Sequence, residues 1–289
     1  MAELLAHYDV MYYICLNMSA DYTTETRIQQ YEITSFYLQR DVKVDCYLYP
    51  SFNTSIDMSL LLINDGQDLR TMRFEEILDD LNSSDELQPM ICIGIHCATD
   101  RKNEYGTAKV LDYKGRGGKA FLYTHFVFKE LLPFIRKEFN ISSFKEKAFA
   151  GFSLGGLCAL DIVWNYPQEF SKVGVFSGSL WWRDMAQDDV DFKENEHRIM
   201  QRQVREGGYF PWLKFFFEVG ILDETADRNK NGIIDSIDDT QAVIGELEIK
   251  GYQNKRDICY LELKDGKHDV QTWARAFPVF LRWAFGTKS

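Results

Sequence analysis

Ala148-Phe149-Ala150-Gly151-Phe152-Ser153-Leu154-Gly155-Gly156 is the stretch that decides the fold. A short apolar run ends at Ala150, and a serine follows among glycines. A helix-period pattern then runs through Leu157, Leu160, Ile162 and Trp164 until Tyr166-Pro167, where proline stops it. This is a strand turning directly into a helix. Small neighbours let the chain fold back, and the turn lifts a serine hydroxyl above the sheet at the positive end of a helix. Gly-x-Ser-x-Gly alone is a common pattern; its place between an apolar strand and an amphipathic helix gives it weight. Ser153 is therefore a candidate nucleophile. The amide of Leu154, the next residue, is a candidate donor to a developing oxyanion.

Outward from this turn the chain alternates. Apolar runs at 60–63, 90–95, 148–150, 173–176, 215–219 and 258–263 are separated by helical stretches, one of them carrying Phe121, Thr124, Phe128, Leu131, Leu132 and Ile135. Continuous apolar strands imply burial on both faces, as in a parallel sheet covered by helices. Before them, residues 31–38 and 42–49 alternate large and polar side chains around a Gln-Arg-Asp turn and predict an antiparallel hairpin at a sheet edge. The expectation is an α/β fold, a three-layer sandwich with a mostly parallel central sheet and an antiparallel N-terminal hairpin. No repeat or linker divides the 289 residues, so a single domain over 1–289 is expected, with an N-terminal β region over 1–50.

Composition narrows the function. Lys+Arg 33 against Asp+Glu 44 gives a net charge of −11, and no basic block offsets it locally. That balance repels phosphate backbones and anionic lipid, so neither a nucleic acid nor a membrane is an expected partner. No apolar run is long enough to span a bilayer. The apolar stretch 10–18 lacks a basic leader and reads as an element of the domain. Six cysteines without a Cys-x-x-Cys spacing, mostly inside apolar segments, read as buried small hydrophobes of a reducing compartment, and the cytoplasm is the expected location. Oligomeric state is not legible.

A serine nucleophile of this kind takes its partners later in the chain, first an acid after a strand and then a histidine. Phe215-Phe-Phe-Glu-Val-Gly220-Ile-Leu-Asp223 supplies Asp223 just past a strand, with Glu224 and Asp227 as competing acids. Of the five histidines only His268 follows that acid, on the loop after the strand 258–263 and before a helix from Val270 to Phe285. In this arrangement His268 takes the Ser153 proton and Asp223 fixes its tautomer. The early strand 60–63 ends in Asn64-Asp-Gly66-Gln67, where Gly66 would let the Gln67 amide face the site as the second oxyanion donor; an ordinary Asn-Asp-Gly turn is the other reading.

Asn64-Asp-Gly-Gln67, Gly151-Phe-Ser-Leu-Gly-Gly156, Ser177-Gly-Ser-Leu-Trp-Trp182, Gly220-Ile-Leu-Asp223 and His268-Asp-Val-Gln-Thr-Trp273 together resemble the esterase D-like family of α/β hydrolases. That family includes enterochelin esterases, feruloyl esterase domains and mycolyltransferases. The resemblance runs from about Val42 to the end and implies the α/β-hydrolase fold, carboxylic-ester hydrolysis through an acyl-serine, a small-molecule ester as partner and no organic cofactor. It places the nucleophile on Ser153, the histidine on His268, the acid on Asp223, and the second oxyanion donor of the mycolyltransferase branch on Gln67. Arg101-Lys-Asn-Glu104 is similar to an Arg-x-x-Glu element near the site in enterochelin-esterase relatives, which makes Arg101 and Glu104 candidate substrate contacts; a solvated charge pair is the alternative. Relatives that manage with a Ser–His dyad leave the weight of Asp223 open. A silent homologue serving as a calcium-dependent binding module and an acyltransferase of the same fold are the competing functions.

Two further features stand apart. Trp181 and Trp182 follow a strand end on the Ser153 edge of the sheet and could stack on an aromatic acyl group, one of the two being expected in the core. The charged stretch 183–211 reads as a cap or as an ordinary surface helix. Asp227-Arg-Asn229-Lys-Asn231-Gly-Ile233-Ile-Asp235-Ser-Ile-Asp238 places oxygen-bearing side chains at loop positions 1, 3, 5, 9 and 12, glycine at 6 and the Ile233 carbonyl at 7. This is the ligand rhythm of an EF-hand or dockerin-type loop and predicts a structural calcium ion, with Asp238 in place of the usual Glu. A metal-free loop closed by its own Asx turns is the alternative.

Overall fold

The computed structural model of the protein describes residues 25–50, 52 and 57–287; the apolar stretch 10–18, with Cys15, lies outside them. Eight strands form one sheet: β1 Arg27–Ser35, β2 Arg40–Leu48, β3 Ser59–Asn64, β4 Met90–Ile95, β5 Lys147–Phe152, β6 Lys172–Phe176, β7 Lys214–Leu222 and β8 Ile258–Lys267. Their order across the sheet is β1-β2-β4-β3-β5-β6-β7-β8. The hairpin β1–β2 is antiparallel, β2 pairs antiparallel with β4, and every later pairing is parallel. Each predicted apolar run is a strand of this sheet. All six residues of β3 and of β4 are buried, as two-sided coverage requires.

Helices lie on both faces. Tyr47, Leu61, Ile63 and Phe216 meet α1 Phe74–Ser83 and α9 Val270–Phe285 on one side. On the other, Leu60, Leu62, Phe215 and Phe217 meet α3 Ala120–Phe126, α4 Leu132–Glu138, α5 Leu154–Asn165, α7 Ile199–Glu206 and α8 Asp235–Lys250. Short α2 Arg101–Glu104 and α6 Glu194–His197 complete the set. The helix predicted through Phe121–Ile135 is interrupted by a π-helical turn at Val127–Leu131, where the Leu132 amide donates to the Val127 carbonyl. Pro133 explains it: with no N–H to give the Lys129 carbonyl, the chain widens before the proline and resumes as α4.

The stretch 183–211 holds α6 and α7. Gln203 donates through Nε2 to Asp161 Oδ1 (2.9 Å), and its carbonyl accepts from Trp164 Nε1 (3.2 Å), so α7 is fastened to the far half of α5. Met200 and Val204 are fully buried there. The described cysteines Cys46, Cys92, Cys97, Cys158 and Cys259 are free thiols, the first two and Cys158 buried. No helix among the described residues is long and apolar enough to cross a membrane.

Candidate active site

The parallel strands deliver their C-terminal ends to one edge, and three of these ends carry a non-glycine residue at positive φ: Asp65 after β3 (60°), Ser153 after β5 (54°) and Ser177 after β6 (45°). Ser153, at φ 54 and ψ −120, is the residue between β5 and α5. Its amide donates to the Phe176 carbonyl (2.8 Å), which locks the turn to β6. Its Oγ lies 3.4 Å from Ser179 Oγ. A Cβ on Gly155 would come within 2.5 Å of Asp65 Oδ2, so the helix start can sit this close to the β3 loop only because the residue is glycine.

The loop after β3 is a single 3-10 turn, Gly66–Asp68. The Gln67 amide, like that of Leu154, donates to no group among the described residues. The Gln67 side chain is engaged instead, accepting from the Cys97 amide at Oε1 (3.1 Å). Beneath the loop, Asn64 Nδ2 donates to the Gly155 carbonyl (2.8 Å) and Asn64 Oδ1 accepts from Tyr123 Oη (2.5 Å). Arg101 grips the buried Asp65 in a bidentate pair, Nε–Oδ1 2.7 Å and Nη2–Oδ2 2.7 Å, and reaches the Phe152 carbonyl at 3.2 Å. These bonds tie the oxyanion-loop backbone to the serine turn. Cys97, the nearby thiol, is no rival nucleophile: burial first, and the Asp65 charge second, push it up to about 12.

His268 stands between β8 and α9. The strand runs further than the predicted end at Leu263: Gly220 pairs with Leu263 but Leu222 with Lys267, so Lys264-Asp265-Gly266 bulge and turn the chain toward β7. Asp269 then caps α9, accepting from the Thr272 amide at Oδ1 (2.9 Å), while Thr272 Oγ1 accepts from the Lys267 amide (2.9 Å). His268 is held between these two anchors, its ring edge-on to Trp273 (centroids 5.4 Å). Its Nδ1 lies 3.8 Å from Asp223 Oδ2, the histidine 40% exposed and the aspartate 1%. Of the three candidate acids, Asp223 is thus the one beside His268. No hydrogen bond joins Ser153 to His268 among the described residues, a looseness common in substrate-free sites.

Other candidates fall elsewhere. Glu104 is a correction: it is 1% exposed, and Arg40 takes both its oxygens (2.7 and 2.6 Å), so it braces β2 rather than meeting a ligand. Arg101, committed to Asp65 and Phe152, is a strut of the loop. Trp182 is fully buried, and Arg116 lies over its ring at 4.9 Å and over that of Trp181 at 5.2 Å. Trp181 is half-buried, and Arg183 also lies over its ring at 5.9 Å. Sequence reasoning passed over Glu218, a lone acid inside the apolar run of β7, although its presence there was a signal. It is 1% exposed, and among the described residues neither its oxygens nor those of Asp223 have a partner at hydrogen-bond geometry. Burial, and secondarily the Asp223 charge, push Glu218 up to about 8.

A sheet of this order with a serine turn after β5 and a histidine after the last strand defines the esterase branch of the α/β hydrolases. Residues 35–284 match the family described as "Putative esterase", and the chain belongs to it. It is 24% identical over 246 residues to YbbA of Bacillus subtilis strain 168, covering 83% of this chain and 91% of that one. Over 75 residues it is 39% identical to an iron(III) enterobactin esterase of Dickeya dadantii strain 3937, covering 25% of this chain but only 17% of that one. Among solved structures it is similar to a ferulic acid esterase (TM-score 0.64, 17% identity, 90% of this chain and 97% of that one). The enterobactin esterase of Shigella flexneri is likewise similar (TM-score 0.67, 21% identity, 89% and 58%).

Proposed function

We propose that the chain is a serine carboxylic-ester hydrolase that cleaves small or aromatic esters through an acyl-Ser153 intermediate. One observation carries the reading. Ser153 is held at φ 54 and ψ −120 with the Leu154 amide following it, and neither that amide nor the Gln67 amide, on the loop that Arg101 ties to the serine turn, donates to any group among the described residues. Such backbone strain costs about 1–3 kcal/mol and persists where the surroundings over-determine it. His268 takes the proton as Ser153 Oγ attacks the ester carbon, and the two amides receive the oxyanion. The intermediate collapses, the departing alkoxide is protonated by His268, and water repeats the sequence to release the acid. Asp223 orients the imidazole. In this reading the Ser153–Ser179 contact belongs to the resting site and yields to His268 when substrate binds.

An aromatic acyl group is favoured by the relatives, and the half-buried Trp181 is the ring of the pair that retains some exposure. The Shigella enterobactin esterase was crystallised with a dihydroxybenzoyl-serine, and another relative is a ferulic acid esterase. The test is hydrolysis of short-chain and aromatic p-nitrophenyl and methyl esters by wild type beside Ser153→Ala. Serine-dependent turnover supports the reading, and unchanged turnover in the variant overturns it. Added alcohols, with product analysis, separate hydrolysis from acyl transfer.

We further propose a structural calcium ion in the loop 227–238, held by Asp227, Asn229, Asn231, the Ile233 carbonyl, Asp235 and Asp238. Two features support it. Asn229 and Asn231 both direct Nδ2 at Asp238 Oδ2 (2.7 and 2.9 Å). Asp227 Oδ1 and Asn229 Oδ1 both accept from the Asn231 amide (3.1 and 3.0 Å). Positions 1, 3, 5 and 12 are thus linked to one another by hydrogen bonds, and a half-turn of each Asn amide would turn its oxygen toward Asp238. Among the described residues no three His, Cys, Asp or Glu side chains gather as a metal site; the proposed donors include two Asn amides and one carbonyl, which suit calcium. Asp235 is shared, its Oδ1 accepting from the Arg228 amide (2.9 Å).

A further inference from the structure

Glu218 and Asp223 stand on one face of β7. Residues two apart on a strand share a face, so Glu218 and Gly220 point the same way. A Cβ on Gly220 would lie 2.6 Å from Asp223 Oδ1, so the Asp223 carboxylate is folded back over Gly220, beside Glu218. The face is the one covered by α9, since Phe216, two residues earlier, packs with Phe277 and Phe280. Across the ladders Glu218 is flanked by Phe176 and Leu261, both apolar. Its backbone carbonyl accepts from the Ser177 amide (2.8 Å), and Ser177 Oγ accepts from Trp273 Nε1 (2.9 Å), so the strand is fixed to the helix that follows His268.

The result is two buried carboxyl groups whose four oxygens meet no partner at hydrogen-bond geometry among the described residues, the Ser177 amide being the nearest donor to Glu218. Two adjacent carboxylates taken out of water do not both ionise; one keeps a proton, and a neutral acid is then a donor as well as an acceptor. Asp223 lies beside His268, its Oδ2 3.8 Å from Nδ1. Glu218 faces Phe176 and Leu261. The other titratable groups that feel it are Arg275, on α9, and Tyr260, on β8.

The geometry points to Glu218 as a positioning residue that stays a neutral acid and donates its O–H to Asp223, holding that carboxylate against His268. The assignment rests on the esterase reading for its catalytic consequence but not for its chemistry. It supplies each buried Asp223 oxygen with a donor, Glu218 on one side and His268 on the other. It also accounts for a glutamate in the middle of an otherwise apolar strand, where an unpartnered charge would be costly.

The experiment compares wild type, Glu218→Gln, which keeps a neutral donor, and Glu218→Leu, which has none. The infrared difference spectrum of wild type minus Glu218→Gln at pH 7, in which other buried acids such as Asp239 cancel, should show a protonated carboxyl band. This band should fade as pH passes about 8. NMR titration of His268 should shift in Glu218→Leu and stay near wild type in Glu218→Gln. With an ester substrate, Glu218→Gln should keep kcat within about threefold, and Glu218→Leu should lose about tenfold with KM unchanged, the effect of one charge-assisted hydrogen bond. Wild-type kcat/KM should fall above about pH 8, a limb absent from both variants. No carboxyl band at pH 7, a Gln variant as damaged as the Leu variant, or an alkaline limb surviving in both would overturn the assignment. The infrared and NMR readouts need no turnover, so absent Ser153-dependent hydrolysis would defeat the esterase reading while these still decide the role of Glu218.

Discussion

Arg101 and Asp65 form a bidentate ion pair, 2.7 Å at each end, that joins the loop carrying Gln67 to the carbonyl of Phe152, the residue before the candidate nucleophile. Asp65 is 1% exposed, so the guanidinium takes the place of water around it. Arg101→Met should destabilise the fold by about 3 kcal/mol, because it strands a buried carboxylate. It should also lower kcat more than it raises KM, since the Gln67 amide loses its fixed position. Denaturant unfolding and steady-state kinetics check both; an affinity loss alone would mark Arg101 as a ligand contact.

Ser153→Gly separates strain from chemistry. Glycine adopts φ 54 freely, so the variant should be at least as stable as wild type in a thermal melt while losing about 10³-fold or more in ester turnover. His268→Ala should match that loss. A Ser153→Gly protein that melts lower would show that the turn is not strained.

Gly220→Ala places a methyl where Asp223 Oδ1 now lies, 2.6 Å away. The acid must swing off His268. We expect a stability cost of about 1–3 kcal/mol from overpacking and a fall in kcat comparable with that of Asp223→Asn. Gly245→Ala, where a Cβ meets nothing within 4 Å, is the control and should be silent in kinetics.

The raised Glu218 group also makes stability depend on pH. Folded, it keeps its proton up to about 8; in the unfolded chain it loses it near 4.5. Its contribution to folding is therefore complete below about 4.5 and is lost as pH rises through about 8. Glu218→Gln removes this dependence, so its stability relative to wild type should improve between pH 4.5 and 8 in urea titrations. A constant difference across that window would argue against a shifted group.

Calcium is tested by the melting temperature. Added calcium should raise Tm with its concentration and chelator should reverse the rise, by mass action on the folded state. Asp227→Ala should abolish the response. A Tm indifferent to calcium would leave residues 227–238 as a loop closed by its own Asx turns.

Much of this was legible in the sequence because it is written in local patterns. Apolar runs of three to six residues marked the parallel strands, and the glycines around Ser153 marked the turn, since only small residues permit a helix to start against the strand it leaves. Chain order singled out His268. What escaped was long-range pairing. Nothing local couples Arg40 to Glu104, 64 residues apart, so Glu104 read as a substrate contact, or else a solvated charge, when it is a buried brace. Trp181 and Trp182 are adjacent and alike in sequence, and only the packing over Gly106 and Gly117 buries the second. The bulge at Lys264-Asp265-Gly266 was hidden because its cause, the close backbone approach of Gly266 to Gly220, lies on another strand.

The groups proposed for the chemistry hang from the ends of four different strands, β3, β5, β7 and β8, while the long crossover from β6 to β7 brings Trp181 and the α6–α7 segment to the molecule as one continuous piece. On the proposed reading, reaction and selectivity are therefore separately heritable. Exchanging residues 180–212 for the corresponding crossover of a relative would then alter which acyl group is accepted while leaving the proposed reacting groups in register, which makes that crossover the natural unit of redesign.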